Sequence, residues 1–539
     1  MLRRGFAALV AGAVGLGATA ATAQTPGPPT SVVASTLLIS GHGWGHGLGM
    51  SQWGANGYAQ HGWTFDRILA HYYPGTQLGP APVTKIRVLL VEGKKALKLT
   101  SAAPWRVTDG SGGVHELPAG PATLRADLTL TTDPFAEPLQ LTEPLTFAPA
   151  GAPLELGRPY RGTIRVTLAG GKLQAVNELG LEAYLKGVVP AEMPSNWQPE
   201  ALKTQAAAAR SYALSTRATG RPYDVFSDTR SQVYIGRSYE KPSTNAAVDA
   251  TKGQVLLYRG QVAFTMFHSS SGGRTLSYAE AYPGSAKYPY LASVADPYDT
   301  ASPSHDWGPV LVDATKAGKA LKVPGQLVDL EPVLGASGRA AKVRAHGTNG
   351  DVDLSAAKLR AELGLRSTWF SVGLLSLSRP YGPLAYGSTQ TVTGRVRGAQ
   401  GLSLEQRSAS SFWQPAPPVS PTVDGGFTFA VNPTATTDYR LVSGTIKAFP
   451  LRVTVAPVVT LSLDGAGAAL TGTTSPVLPG ATVEVQRQDG IVWTTAATAS
   501  VDASGVFTVP LPLAPGAYRA RLAPGRGLVA GTSASLPLG

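Results

Sequence analysis

The stretch Val188-Val189-Pro190-Ala191-Glu192-Met193-Pro194-Ser195-Asn196-Trp197, running into Gln198–Thr216, constrains this chain more than any other. Pro190 and Pro194 restrict the backbone on both sides of Glu192, which predicts a carboxylate on a stiff turn. A helix follows. Ser195 with Gln198 reads as a capping box, and Pro199 suits a first helical turn. Glu200-Ala201-Leu202-Lys203 and the run Ala206–Ala209 favour helix strongly. Leu202, Ala206, Ala209 and Ala213 recur at helical spacing, a narrow face of small residues able to approach a sheet closely. Lys203, Ala207, Arg210 and Leu214 share a second face, which sets two cations two turns apart. An acid beside apolar Met193 and Trp197, with cations on the next helix, suits a catalytic carboxyl. A helix-start carboxylate favoured by the dipole is the plain alternative, and these residues leave it open.

Before this centre, Gly41 to Gly49 alternates without a break, five glycines against His42, Trp44, His46 and Leu48. If extended, it puts the glycines on one face and both histidines with Trp44 on the other, so a backbone or ligand could come close. So many glycines argue against a helix. A strand can still present alternate histidines to a metal, which stays open behind a structural or substrate-contacting role. Ser51–Thr76 reads as helix-rich. Residues 85–187 read as short strands, with Gly110-Ser111-Gly112-Gly113 and Ala169-Gly170-Gly171-Lys172 as hairpin-like turns. Asn177–Leu185 leads to the centre as a short helix. After it, Asp228–Gly236 and Val255–His268 predict strands with Gln232, Tyr234 and His268 near their ends. The turn Ser269-Ser270-Ser271-Gly272-Gly273 suits ligand contact or a simple Ser/Gly turn; it has no nucleophile-elbow pattern. The loop around Tyr282, Tyr288, Tyr290 and Tyr298 suits stacking on sugars or packing.

From about Arg379 the texture becomes alternating strands, in two copies about 80 residues apart. Gln406-Arg407 matches Gln486-Arg487, Trp413 matches Trp493, and Tyr439-Arg440 matches Tyr518-Arg519. Each copy suits a small immunoglobulin-like sandwich, by fold-level analogy. With 62 Gly, 43 Pro and 15% charged residues, short strands and turns are favoured over helical bundles. The absence of cysteine excludes disulfides, a Cys nucleophile and a Cys-ligated zinc. The net charge of +12 suits an anionic polymer or a membrane surface. Nucleic acid is not expected, because no basic run interleaves with aromatics and no groove-entering motif occurs. Met1–Ala23 reads as a secretory signal: Arg3 and Arg4, an apolar Phe6–Ala18, and Ala21-Thr22-Ala23 as the cleavage site. That apolar run is short for a membrane span.

The run VVPAEMPSNWQPEALKTQAAAARSYAL, residues 188–214, resembles the signature of the SpoIID/LytB family, sporulation-type lytic transglycosylases and amidase enhancers of the bacterial cell wall. It departs from the family pattern conservatively, at Thr204, Ala207 and Ser211. Ser227–Thr275 and Gly41–Thr76 carry two further matches, so the resemblance covers residues 36–376 in patches. In the family the Gly/His segment usually closes the domain. Here it precedes Lys85–Leu90, which is similar to the family's opening strand, and none follows the closing phrase Leu363–Phe370. This is a permuted arrangement.

The expected fold is α+β: a β-rich catalytic domain with a central active-site helix, then two all-β immunoglobulin-like sandwiches. The expected organisation is a signal peptide at 1–23, a linker at 24–35, the SpoIID/LytB-like domain at 36–376, and sandwich repeats at 377–455 and 456–539. The resemblance implies a secreted, envelope-located lytic transglycosylase that acts on the glycan strands of peptidoglycan, with Glu192 as general acid and base. It implies a groove lined by Lys203, Arg210, Tyr212, Gln232, Tyr234, His268, Ser269, Ser270, Ser271 and Gly272, together with His42, Trp44, His46 and Gln52 from the Gly/His segment. No cofactor or metal is expected, nor a stable membrane span once the signal is removed. A wall amidase is a candidate partner. Asp228 is a distant second carboxylate. The alternatives are a non-catalytic amidase enhancer and a metal-dependent wall hydrolase using His42, His46, His268 or His305.

Overall fold

The computed structural model describes residues 31–539 except 134, 136, 410 and 511. The expected signal peptide and residues 24–30 of the expected linker lie outside the described residues. Residues 31–35 are not linker: they open a strand, Ser31–His42. Its Val, Leu and Ile content favours that conformation.

The protein is β-rich, with most of its helices gathered around one region. A seven-stranded sheet runs in the order 225–226, 85–94, 172–180, 163–169, 145–149, 105–108, 114–117. It shares one apolar core with a six-stranded sheet, through Trp105, Phe147, Leu99, Leu124 and Leu154. As expected, the hairpin Thr163–Ala169 to Lys172–Gly180 turns at Gly170 and Gly171, both at positive φ, the conformation a two-residue hairpin turn demands. Strand Lys172–Gly180 runs directly into the helices that carry the central motif. The helices around this motif, in chain order, are α1 (Gln52–Gln60), α2 (Phe65–Tyr72), α3 (Leu181–Glu192), α4 (Pro199–Ser215), α5 (Pro242–Ala250) and α6 (Tyr278–Ala281); two more, α7 (Ala314–Leu321) and α8 (Ala356–Leu363), pack in a separate core. Ala206, Ala209 and Ala213 of α4 join the sheet's core beside Val88 and Val225. The small-residue face therefore packs as its spacing indicated.

Three local expectations fail. Asp228–Gly236 is irregular apart from turns and forms no strand. Val255–His268 is not continuous. It forms Gln254–Tyr258, a turn with Arg259 and Gly260 at positive φ, and the short strands Gln261–Val262 and Phe267–His268. The capping box is absent: Gln198 is the N-cap of α4 and makes no side-chain cap bond. Pro199 at the first helical position needs no partner for an N–H it lacks.

The expected boundary at 376/377 falls inside a strand. Phe370–Pro380 pairs antiparallel with Ser31–His42 along its whole length, from Gly41 opposite Phe370 to Ser31 opposite Pro380. This ribbon is buried on both faces. Leu37, Ile39 and Leu374 face a small α/β unit built on strands 327–334, 340–347 and 350–355. Leu38, Leu375 and Leu377 face the first C-terminal unit, where they meet Val392, Leu404, Tyr439 and Leu451. Alternation of side chains along a strand makes one ribbon serve two cores. The second C-terminal unit has its own two sheets and core, including Leu470, Val483, Val485, Phe507 and Tyr518. The two copies are offset by one residue at one strand. Arg440 bonds Glu405 at 2.6 Å, whereas Arg519 bonds Gln486 at 2.9 Å. Gln486 thus takes the place of Glu405 rather than of Gln406, and an irregularity in pairing lies at Val485/Gln486.

Candidate functional site

Glu192 is the last residue of α3, which contains Pro190. The expected turn around the acid is therefore a helix end. Pro190 fits because its φ is helical and the helix stops two residues later. Met193 is extended, at φ −135° and ψ 136°, the conformation forced on a residue that precedes proline. Pro194 thus ends the helix and leaves the acid at its C-terminus. There the helix dipole disfavours an anion, which removes the reading of Glu192 as a dipole-stabilised helix-start carboxylate. The side chain is half-buried. Lost hydration raises its pKa above the usual carboxylate range, and the Val233 N–H, donated to Oε1 at 3.2 Å, opposes that rise. No cation contributes to the shift.

The Gly/His segment docks here, although it stands first in the chain. Gln52, the first residue of α1, donates from Nε2 to the Glu192 carbonyl at 2.9 Å and to Gln205 Oε1 at 3.3 Å. Trp53 and Trp197 meet with ring centroids 4.7 Å apart. Asn56 Oδ1 accepts from Gln198 N–H, and Glu200 accepts from Phe65 N–H at 2.8 Å. The segment is not the extended strand expected. Gly43, Gly45, Gly47 and Gly49 all have positive φ, so the chain winds and its histidines part. A Cβ on Gly49 would stand 2.0 Å from the Met266 carbonyl oxygen. The glycines let two backbones touch: Trp44 and Ser270 exchange both backbone bonds, at 2.8 and 3.0 Å. His42 is exposed and bonds Asp306 at 2.6 Å. Trp44 is 54% exposed. His46 accepts from Leu48 N–H, and burial with nearby Arg360 lowers its pKa to about 4. Its ring lies 5.4 Å from that of buried His268, whose pKa is also depressed by burial.

The serine turn is an internal scaffold. Ser270 donates to Asp299 at 2.8 Å, Ser271 donates to Asp296 at 2.7 Å, and Gly272 N–H donates to Asp299 at 2.7 Å. Ser51, at the start of α1, donates to Asp299 at 2.9 Å and caps α1 by accepting from Gly54 N–H. Ser270, Ser271 and Gly272 are buried and their polar groups are spent, so the expected ligand contact does not fit them. Ser269 stays half-buried, and its carbonyl takes the Trp53 N–H at 3.0 Å. Asp296 and Asp299, both fully buried, escaped sequence reasoning. The available signal was Asp296-Pro297-Tyr298-Asp299, two acids within one aromatic loop of an acid-poor chain. Burial, and then the charge of Asp299, raise the Asp296 pKa to about 7.

The other expected groove residues divide. Tyr212 is half-buried and feels the Glu192 charge. Gln232 is buried beside the acid's Val233 partner, and Tyr184 donates to its Oε1 at 3.3 Å. Tyr234 is a core residue: its hydroxyl donates to Asn177 at 2.8 Å and its ring packs on Tyr160 and Tyr184. Lys203 pairs with Glu200 at 2.6 Å. Arg210, expected at the groove, is fully enclosed. It binds Glu182 through Nε and Nη2 at 3.1 and 2.6 Å and the carbonyls of Gln254 and Val248. A guanidinium saturated in this way ties α3, α4 and α5 together and is not free to hold a ligand. Asp228 lies at the surface, forked to Arg230. His305 bonds Asp299, and among the described residues no three His, Asp or Glu side chains gather as a metal site. A cavity of about 890 Å³ lined by Lys85, Arg87, Glu178 and Arg217 includes no residue of the Glu192 cluster.

The acid-bearing helix end, the alanine helix and the strand leading into them lie within a segment that matches a known family. Residues 169–258 match the family described as SpoIID: Stage II sporulation protein. The chain is 43% identical over 115 residues to the amidase enhancer of Bacillus subtilis, a match covering 21% of this chain and 15% of that protein. It is 41% identical over 150 residues to stage II sporulation protein D of the same organism, covering 24% of this chain and 43% of that protein. An uncharacterized protein of Brachyspira hyodysenteriae is 42% identical over 141 residues, covering 26% of this chain and 38% of that protein. The chain is similar to the SpoIID family over this segment. It spans less than half the length of each of these relatives.

Proposed function

We propose that this protein acts on the bacterial cell wall as a peptidoglycan lytic transglycosylase with Glu192 as its acid and base. The observation that carries the reading is Glu192 itself: half-buried, at a helix C-terminus, with its pKa raised and one oxygen oriented by Val233 N–H. Such a carboxyl holds its proton to higher pH than a solvated one and suits a general acid. A hydrolase needs two carboxylates across the scissile bond. Asp228 is committed to Arg230 at the surface, and no other carboxylate adds to the Glu192 shift. One acid is enough for a lytic reaction. Protonated Glu192 gives its proton to the glycosidic oxygen as the C1–O bond breaks. The resulting carboxylate takes the proton of the muramic C6 hydroxyl, whose oxygen bonds C1 and closes the anhydro ring. Glu192 ends protonated and no water is consumed. A polymer-binding role without cleavage is the second reading, favoured by the relative named amidase enhancer.

The test is mass spectrometry of soluble products from isolated peptidoglycan, intact and stripped of peptides. Ends in anhydromuramic acid, lost in Glu192→Gln by about two orders of magnitude or more, are the expected result. Reducing muramic ends would point to a hydrolase. No products from either substrate, with wall binding kept, would favour the enhancer reading.

A further inference from the structure

A row of aromatic rings runs outward from the acid. Tyr212 stacks on Phe264 at 5.5 Å, Phe264 meets Tyr288 at 4.9 Å, Tyr288 meets Tyr278 at 4.9 Å, and Tyr278 meets Tyr282 at 4.6 Å. Tyr212 also touches Phe267, whose strand pairs with Met50 just ahead of Gln52, the residue bonded to the Glu192 carbonyl. None of the five rings is buried, and Tyr282 is 50% exposed. The adjoining Tyr72, Tyr73 and Tyr290 are buried in the core. The row therefore lies at the surface, with Phe264, Tyr278 and Tyr288 resting on the core and Tyr282 exposed.

The outer end is held rigid. Ser277 caps α6 by accepting from Glu280 N–H at 3.2 Å. The Glu280 carboxylate accepts from both the Ser337 N–H and hydroxyl, the latter at 2.8 Å. Tyr278 N–H donates to the Leu291 carbonyl at 2.8 Å. One turn of helix thus presents Tyr278 and Tyr282 together, pinned on two sides. The Lys287 ammonium lies 5.1 Å over the Tyr288 ring and brings a cation to the row.

We propose that this row is a binding track for a glycan strand, with ring faces stacking on successive sugars as the strand leaves Glu192. The inference rests on the wall-glycan reading above. Its physical basis is the match between two amphipathic surfaces. A pyranose has an apolar C–H face and polar edges, and a tyrosine has an apolar face and a hydroxyl tip. Rigid rings lose little entropy on binding, so several modest contacts in line favour a polymer over a single sugar unit. Lys287 suits a strand whose sugars carry carboxylates. Phe264 and Tyr278 join Tyr282 and Tyr288, two tyrosines of the loop whose residue types suit sugar stacking, whereas Tyr290 of the same loop is core.

The experiment is equilibrium binding of the full chain carrying Glu192→Gln, so that nothing is cleaved. The probes are peptide-free glycan strands solubilised from peptidoglycan and their disaccharide unit. Adding Tyr282→Ala should weaken strand binding about 5- to 10-fold and lower the ratio of strand to disaccharide affinity; Tyr282→Trp should restore both. Tyr288→Ala should act in the same direction. Strand affinity unchanged in both alanine variants, with thermal unfolding also unchanged, overturns the track even if the parent enzyme cleaves the wall. No strand binding by the Glu192→Gln protein overturns it as well. Tyrosine-dependent strand binding by a protein that releases no product keeps the track and sinks the lytic reading.

Discussion

Glu192 and Asp296 are both carboxyls that lost hydration keeps nearer to neutral, and their surroundings separate their roles. Glu192 stands half-open at a helix end, whereas Asp296 is sealed beneath the turn that it and Asp299 organise. The Asp296 pKa is raised from its unfolded value to about 7. The folded state therefore binds a proton that the unfolded chain has already released. Its contribution to stability is fully present below about pH 4 and is lost as pH rises toward 7. Urea denaturation across that range should show the decline, and Asp296→Asn should flatten it; a decline of unchanged size in the variant would falsify the assignment. Two cations on one helix give a second contrast. Arg210→Met leaves Glu182 without its partner among α3, α4 and α5 and should cost about 3–5 kcal/mol. Lys203→Met breaks a partly exposed pair and should cost about 0–1 kcal/mol. Chemical denaturation of both variants measures the difference.

At the scale of elements, the Gly/His segment and the serine turn form one unit, because bare backbones allow them to touch. Gly49 sits at φ +68° with no room for a Cβ, whereas Gly62, at φ +78°, has open space around it. Gly49→Ala should cost roughly 2–4 kcal/mol, from a left-handed backbone and a clash together. Gly62→Ala should cost only the left-handed term, about 1–2 kcal/mol. Equal losses in thermal or urea unfolding would mean that close packing of the segment matters little. Helix α3 teaches a related point. Its end is set by Pro194 through Met193, not by Pro190, so the acid is carried on a helix rather than a turn.

At the scale of the molecule, the ribbon of Ser31–His42 and Phe370–Pro380 joins segments that stand far apart in the chain. Its far end carries His42 against the closing phrase: His42 N–H donates to the Trp369 carbonyl at 2.9 Å, and Ser367 donates to the His42 carbonyl at 2.6 Å. The Gly/His segment is thereby placed where the closing phrase runs into strand Phe370–Pro380. The same ribbon lends Leu38, Leu375 and Leu377 to the first C-terminal unit. Cutting the chain after residue 380 should therefore strip an apolar face and give an aggregating protein with a markedly lower unfolding temperature. Cutting after residue 456 removes a unit with its own core and should change the unfolding of the remainder far less. Calorimetry with light scattering on the two truncations checks this, and equal behaviour would argue against a shared core.

The sequence by itself determined the elements whose signals are local. The alanine helix and its packing face, the hairpin at Gly170-Gly171, the doubled C-terminal texture and the acid at 192 were all legible from spacing and residue type. Only the tertiary structure decided which polar groups are spent. Arg210, Ser270, Ser271 and Tyr234 have the chemistry of binding residues, yet partners distant in the chain enclose them. Asp296 and Asp299 stand out locally only as two acids in one aromatic loop, and nothing in that loop marks the scaffold they form. Burial and hydrogen-bond satisfaction depend on which segments meet, and the ribbon that places the Gly/His segment pairs strands more than 300 residues apart. No window of sequence contains both strands, so their pairing could be seen only once the chain was folded.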